Sequence, residues 1–270
     1  LTGVDDGWEW EPSLIGFRHL CESEVLASLL RMVGSPSPTP DVVAGLRGVV
    51  ASESGPSLSG HLSTVGTVEQ FREFAVHRSA YQLKEADPHT WALPRLTGEA
   101  KAALALIQHD EYGSGVAELM HATLFAKTLS ALGLNPSYGA YLDVIPGVTL
   151  TTVNLISLFG LHRRWRGALI GHLAVFEMCS VGPNAAYANG LRRLGFGSDA
   201  SAFYQAHVLA DAIHQEIAVE MASALARCEP DVAGDIIFGA RSIMATESQF
   251  SRRLLDSWAA GQTSLRRPLG

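Results

Sequence analysis

The sequence predicts an all-α protein folded as a single helical bundle, and three observations predict it. Apolar residues recur at helical spacing through most of the chain. The helical stretches are divided by short Gly, Pro and Asn breaks. No stretch carries the two-residue alternation of a half-buried strand or a hairpin dipeptide between β-branched runs. Helices joined by short connections bury their apolar stripes against one another, and a bundle is the architecture that does so.

Taken in order, Leu14, Phe17, Leu20, Val25, Leu29 and Val33 give a mixed helical pattern over 14–33. Pro36, Pro38 and Pro40, and later Gly55-Pro56-Ser57, mark a loop-rich connection around one short helix. Thr67-Val68-Glu69-Gln70 reads as a capping box, in which the Thr hydroxyl and the Gln side chain satisfy each other's backbone amides. That helix is expected to run to the Asp87-Pro88 break, since the residue before a proline is driven out of the helical region. A further helix starts near Thr97 and is interrupted at Gly113-Ser114-Gly115, and another runs from there to a glycine stop at Gly133. The remaining helices are expected over 149–161, 165–179, 199–227 and 231–259, with Asp199 as N-cap of the longest. On this reading residues 1–66 form an arm packing on the outside of a bundle that spans 67–270.

Length and composition exclude several function classes. A chain of 270 residues can bury a full core, and a net charge of −7 gives no basic surface for nucleic acid or an anionic membrane. The most apolar stretch, 144–161, is broken by Pro146-Gly147, diluted by Thr149, Thr151, Thr152 and Asn154, and closed by His162-Arg163-Arg164. A buried core helix fits it better than a membrane span. Cys21, Cys179 and Cys228 are sparse, odd in number and without C-x-x-C spacing, which fits a reducing compartment. The first residues lack the basic and apolar regions of a signal peptide. A cytoplasmic protein is the expectation.

The sharpest chemical signal is His207-x3-Asp211-x2-His214. At about 100° per residue these three side chains fall within a sector of roughly 60° on one helix face. The two histidines nevertheless lie about 10 Å apart along the axis, awkward for one metal and natural for two ions about 3.5–4 Å apart. Asp211 between them can bind one ion or bridge both. Iron or manganese in a helical bundle needs further carboxylates from other helices. Glu85 lies beyond Phe74, Ala75, Tyr81 and Leu83, and Glu177 ends the apolar run 169–176, where an uncompensated carboxylate would cost several kcal/mol. Between them stand Asp110-Glu111-Tyr112-Gly113 and, after the glycine break, Glu118 and His121. Ten residues of straight helix would hold Glu111 about 15 Å from His121, so either the break folds Glu111 back or Glu118, three residues before His121, takes its place. Blander readings exist for each residue alone. His172 is most simply a core histidine, and Glu85 could pair with Arg78 or Lys84.

Taken together, His77 to His89, Asp110-Glu111-Tyr112-Gly113, Gly171 to Glu177 and the His207 string resemble the haem-oxygenase-like diiron oxidases and oxygenases, the iron-containing redox enzyme family. The resemblance covers roughly residues 67–262. It implies a haem-oxygenase-like bundle of about seven core helices without haem. The metal ligands would be Glu85, Glu111, His121, Glu177, His207, Asp211 and His214, with Glu177 and Asp211 closest to the chemistry. Two iron ions would react with O2 as co-substrate to oxidise a small organic molecule, by C–H or N–H oxidation, desaturation or fragmentation. By family analogy that molecule is an amino acid or related carboxylate, with fatty-acid oxidative decarboxylation as the main competitor. The resemblance leaves room for an external electron donor and for a homodimer.

Four other readings make distinct demands. A haem oxygenase leaves the surplus carboxylates unexplained. A thiaminase-like hydrolase needs Cys179 as nucleophile, with no adjacent base evident in the sequence. A zinc hydrolase rarely recruits four carboxylates, and a non-catalytic helical protein gives buried Glu177 no purpose. Arg164, Arg166, Tyr187 and Tyr204 are polar groups near the site helices that surface pairing would equally explain.

Overall fold

The computed structural model describes residues 5–52, 55 and 57–269 and contains helices and turns, with no strand among the described residues. Its helices are α1 (Pro12–Val33), α2 (Val42–Ala51), α3 (Leu58–Thr64), α4 (Val68–Gln82), α5 (Asp87–Thr90), α6 (Gly98–Glu111), α7 (His121–Ala131), α8 (Gly147–Leu161), α9 (Arg166–Arg193), α10 (Ser198–Cys228) and α11 (Ala233–Ala259). Among the described residues no helix is long and apolar enough to cross a membrane. Most of the stretch 144–161 instead forms α8, whose Leu155, Ile156 and Phe159 are buried in the core.

The long helices α9 and α10 pack side by side through the centre, α11 lies on α9, and α6 and α7 lie on α10. Where α9 meets α11 the seam is made of small residues. A Cβ on Gly171 would overlap the Ile236 carbonyl, and a Cβ on Gly239 would overlap the Ala168 carbonyl. The two backbones therefore touch, and each helix supplies the glycine that lets the other approach.

The capping box is formed as its sequence spells it, with Thr67 Oγ1 accepting from the Gln70 amide at 3.2 Å and Gln70 Oε1 accepting from the Thr67 amide at 3.1 Å. Gly133, at φ 69°, follows the end of α7 as expected, and the Leu134 amide donates back to the Leu129 carbonyl.

Several boundaries differ from the sequence reading. The α4 helix ends at Gln82 and Asp87-Pro88 opens α5 instead of closing α4, since proline is tolerated in a first turn, and α7 begins at His121 rather than at the glycine break. The loop-rich connection holds two helices, α2 and α3. Ser57 of the expected break is the N-cap of α3, its hydroxyl accepting from the Gly60 amide, and Pro56 lies outside the described residues. The helix expected over 165–179 continues to Arg193 with Pro183 inside it, since neighbouring helices bury Asn184, Ala188 and Leu191 and outweigh the missing amide. Asp199 is not the N-cap of α10. Gly197 holds that position, and Asp199 lies in the first turn, where its charge still faces the positive end of the helix dipole.

Candidate metal centre

Each predicted ligand is buried, and five separate elements deliver the seven. Glu85 lies in the turn 83–86 that follows α4, where the Lys84 amide donates to Tyr81 and the Asp87 amide to Lys84. Glu111 is the last residue of α6 and His121 the first of α7. Glu177 lies inside α9. His207, Asp211 and His214 share the buried face of α10, at 5%, 1% and 1% exposure, whereas Leu209 and Ile213 on the opposite face are 75% and 66% exposed. The one-face reading of the His207 string is the arrangement found.

The alternatives at the second carboxylate separate clearly. Glu111 Oε2 lies 2.8 Å from His121 Nδ1, while Glu118 is exposed in the short turn 117–119. What folds Glu111 back is the glycine break: Gly113, Ser114 and Gly115 all have positive φ, at 66°, 53° and 85°. Gly113 cannot carry a side chain at all, because its Cβ would lie 2.5 Å from the Met120 amide nitrogen. A ten-residue separation that a straight helix would stretch to about 15 Å thus closes to direct contact.

Six of the seven side chains form two overlapping groups, and Asp211 stands beside the second. Donor atoms of Glu85, Glu111, His121 and His207 lie within 4.8 Å of one another, as do those of Glu111, Glu177 and His214, so Glu111 belongs to both. His207 Nε2 is 3.4 Å from Glu85 Oε2, and His214 Nδ1 is 3.5 Å from Glu177 Oε2 and 3.6 Å from Asp211 Oδ1. A small cavity of about 10 Å³ opens at their centre, walled by Tyr81, His89, Phe176 and the carboxylates.

The electrostatics of this arrangement are unusual. Glu85 Oε2, Glu111 Oε2, His121 Nδ1, His214 Nδ1 and both Asp211 oxygens are buried without a hydrogen bond. Burying that many acceptors unpaired would cost several kcal/mol. Burial opposes an ionised Glu111, but His121, 2.8 Å away, together with His207 and His214, overcomes it and holds the Glu111 carboxyl down to about 2. Burial, with Asp211 and Glu111 nearby, pushes the Glu177 carboxyl up to about 8. Burial also raises Glu85. Burial opposes a charged His214, but the facing Asp211 and Glu177 overcome it and raise the ring to about 11.

The histidines are oriented from behind. His207 Nδ1 lies 2.9 Å from the Phe203 carbonyl, which fixes the proton there and leaves Nε2 as the free lone pair. His214 Nε2 lies 3.1 Å from Asp110 Oδ2, leaving Nδ1 towards Glu177 and Asp211. The sequence reading missed Asp110 as a partner, although it adjoins Glu111. His172 is a core histidine, fully buried, with Nδ1 3.1 Å from His89 Nε2. Arg78 and Glu85 are not a pair, because Arg78 is taken by Glu247. Arg164 and Arg166 pair with Asp235 and Glu229, and Tyr187 and Tyr204 lie inside an aromatic cluster with Phe71.

Beside the centre lies a chamber of about 480 Å³, which Glu85 and His207 line from one side and Arg78, Gln82, Cys179 and Glu247 among others enclose. Its volume falls within the range of small-molecule sites.

A sequence model described as iron-containing redox enzyme matches residues 72–248. No curated protein matches the chain. Among solved structures, the fold is similar to a CADD-like protein of unknown function from Nostoc punctiforme PCC 73102. That likeness has a TM-score of 0.53 and 14% identity, covering 88% of this chain and 98% of the other.

Proposed function

Since the chain belongs to the iron-containing redox enzyme family, we propose that it is a non-haem diiron oxidoreductase that uses O2 to oxidise a small organic substrate. The observation that carries this reading is the pair of buried donor groups sharing Glu111, in which carboxylate and imidazole atoms crowd together and several make no hydrogen bond. The donor set fits iron: carboxylate oxygen and imidazole nitrogen suit it, and no thiolate belongs to either group. Charge fits as well. Glu85, Glu111, Glu177 and Asp211 carry four negative charges when ionised, which two divalent ions would balance.

Glu85, His121 and His207 would hold one ion, Glu177 and His214 the other, with Glu111 between them and Asp211 beside the second. Iron so held would supply the one-electron steps and the O2 reactivity that no side chain provides. The chain's own part is to orient and exclude. Phe203 and Asp110 fix which nitrogen of His207 and His214 faces inward. Phe176 and Tyr81 wall the centre from bulk water, and the adjoining chamber places a substrate beside Glu85 and His207. An amino acid or related carboxylate is the substrate class this reading favours, with a fatty acid as the competitor.

The test is O2 uptake. Protein loaded anaerobically with ferrous iron is expected to consume O2 on mixing, faster in the presence of its substrate, while zinc-loaded protein consumes none. Equal behaviour of the two, or a haem absorption band in protein as isolated, would refute the reading.

A further inference from the structure

The first turns of α1 stand clear of the bundle. From Pro12 to Cys21 every residue but Ile15 is exposed. The helix is held to the rest of the molecule further along, where Val25, Leu26, Leu29, Leu30 and Val33 pack on the core and Glu22 Oε2 lies 2.8 Å from His162 Nε2. The free segment is nevertheless apolar: Leu14 is 42% exposed, Phe17 64% and Leu20 66%, and Trp10, just before the N-cap Glu11, is 78% exposed. At about 100° per residue, Leu14, Phe17 and Cys21 fall within roughly 60° of one another, with Leu20 at their border. Ile15, Leu26 and Leu29, on the side that meets the bundle, lie roughly 130° round the helix. Thus α1 has two apolar faces, and no described part of the chain covers the outer one.

We infer that this outer face pairs antiparallel with α1 of a second copy of the chain. Area, spacing and charge each favour that occupant. Weighted by their exposure, Trp10, Leu14, Phe17 and Leu20 present on the order of 500 Å² of apolar surface. Two copies together bury on the order of 1,000 Å² before any flanking group is counted, the size a specific interface needs. The 3-4 spacing of positions 14, 17 and 21 is that of a helix-pairing seam. About a twofold axis midway between Leu14 and Phe17, Leu14 packs on Phe17 of the partner subunit, and Trp10 lies over the small Cys21 of the partner subunit. Glu11 and Arg18 stand seven residues apart on one flank, so the same antiparallel arrangement brings each Glu11 beside Arg18 of the partner subunit. A lipid surface fits less well. Residues 5–24 carry six acidic side chains and a single arginine, the reverse of the basic polar face of a helix that lies on a membrane.

The test is sedimentation equilibrium of the full-length chain at micromolar concentration. The wild type is expected at the mass of two chains. Leu14→Glu/Phe17→Glu changes two exposed positions, so it should keep a wild-type circular dichroism spectrum while its association weakens about a hundredfold or more. Arg18→Glu places two acidic groups together on each flank and should weaken association about threefold or more, and adding Glu11→Arg should restore it. A monomeric wild type would overturn the inference, as would a dimer that Leu14→Glu/Phe17→Glu leaves intact. An Arg18→Glu defect that Glu11→Arg does not repair would overturn the antiparallel arrangement. A monomer that floats with phosphatidylcholine vesicles would assign the stripe to lipid instead.

Discussion

At each of two histidines in the centre, one ring nitrogen is committed to the protein and the other is left to face the carboxylates. His207 gives Nδ1 to a backbone carbonyl, and His214 gives Nε2 to Asp110. The backbone carbonyl cannot be removed by substitution, whereas Asp110 can. Asp110→Asn is therefore expected to weaken the iron position built on His214 by about 10–100-fold while leaving the position at His207 nearly unchanged. Stepwise iron titration followed by Mössbauer spectroscopy checks it, and equal weakening of both positions would contradict the assignment. Glu111 and Glu118 make a second comparison. Glu111→Gln removes the carboxylate common to both groups and should disrupt both positions. Glu118→Gln alters an exposed side chain and should change iron content not at all. From the sequence these two were open, because helical spacing favours Glu118 beside His121. Only the backbone path between them decides.

That path belongs to the element scale. The turn through Gly113, Ser114 and Gly115 has two separate demands, positive φ and a close approach to Met120, and only glycine meets both at position 113. Gly113→Ala should destabilise the fold by about 1–3 kcal/mol and lower iron content. Gly115→Ala, with positive φ but open space, should cost less and keep both irons. Denaturant unfolding and iron analysis on the two variants separate strain from steric overlap. The α9–α11 seam is stricter, and Gly171→Ala is expected to be among the most damaging single substitutions in the protein, since the added methyl meets the Ile236 carbonyl and not a flexible side chain. Helix existence was legible in the sequence where periodicity and a cap agreed, as in α4, and in α11 from periodicity alone. Helix ends were not, where tertiary burial overrode local signals. The helix expected over 165–179 instead continues through Pro183 and Asn184, because residues beyond them, such as Leu191, are fully buried. The α3 helix escaped notice because seven residues carry too little periodicity.

For the whole molecule, buried histidines outside the predicted ligand set shape its response to acid. His77 is buried between Thr149 Oγ1 at 2.6 Å and Ser264 Oγ at 3.0 Å, and burial lowers it from 6.5 to about 3, with Glu73 opposing and Arg78 and Arg253 assisting. Burial lowers His89 to about 4. An unfolded chain binds these protons between pH 6.5 and the folded values while the native state does not, so stability should fall as pH drops through that window. Melting temperature against pH checks this, and His77→Gln should flatten the slope; a pH-independent melting temperature down to pH 4 would contradict it. The residues that the fold gathers at the centre were legible because their order and spacing along the chain agree with a single pattern. The chamber was not, since Arg78 and Glu247 stand 169 residues apart and nothing local to either announces the other. The central claim, two iron positions sharing Glu111, is tested most directly by counting iron. Wild-type protein loaded anaerobically should hold close to two ferrous ions per chain, and His207→Ala and His214→Ala should each hold close to one, at different positions by Mössbauer spectroscopy. Unchanged iron content in both variants, or a single ion in the wild type lost equally from each, would contradict the account.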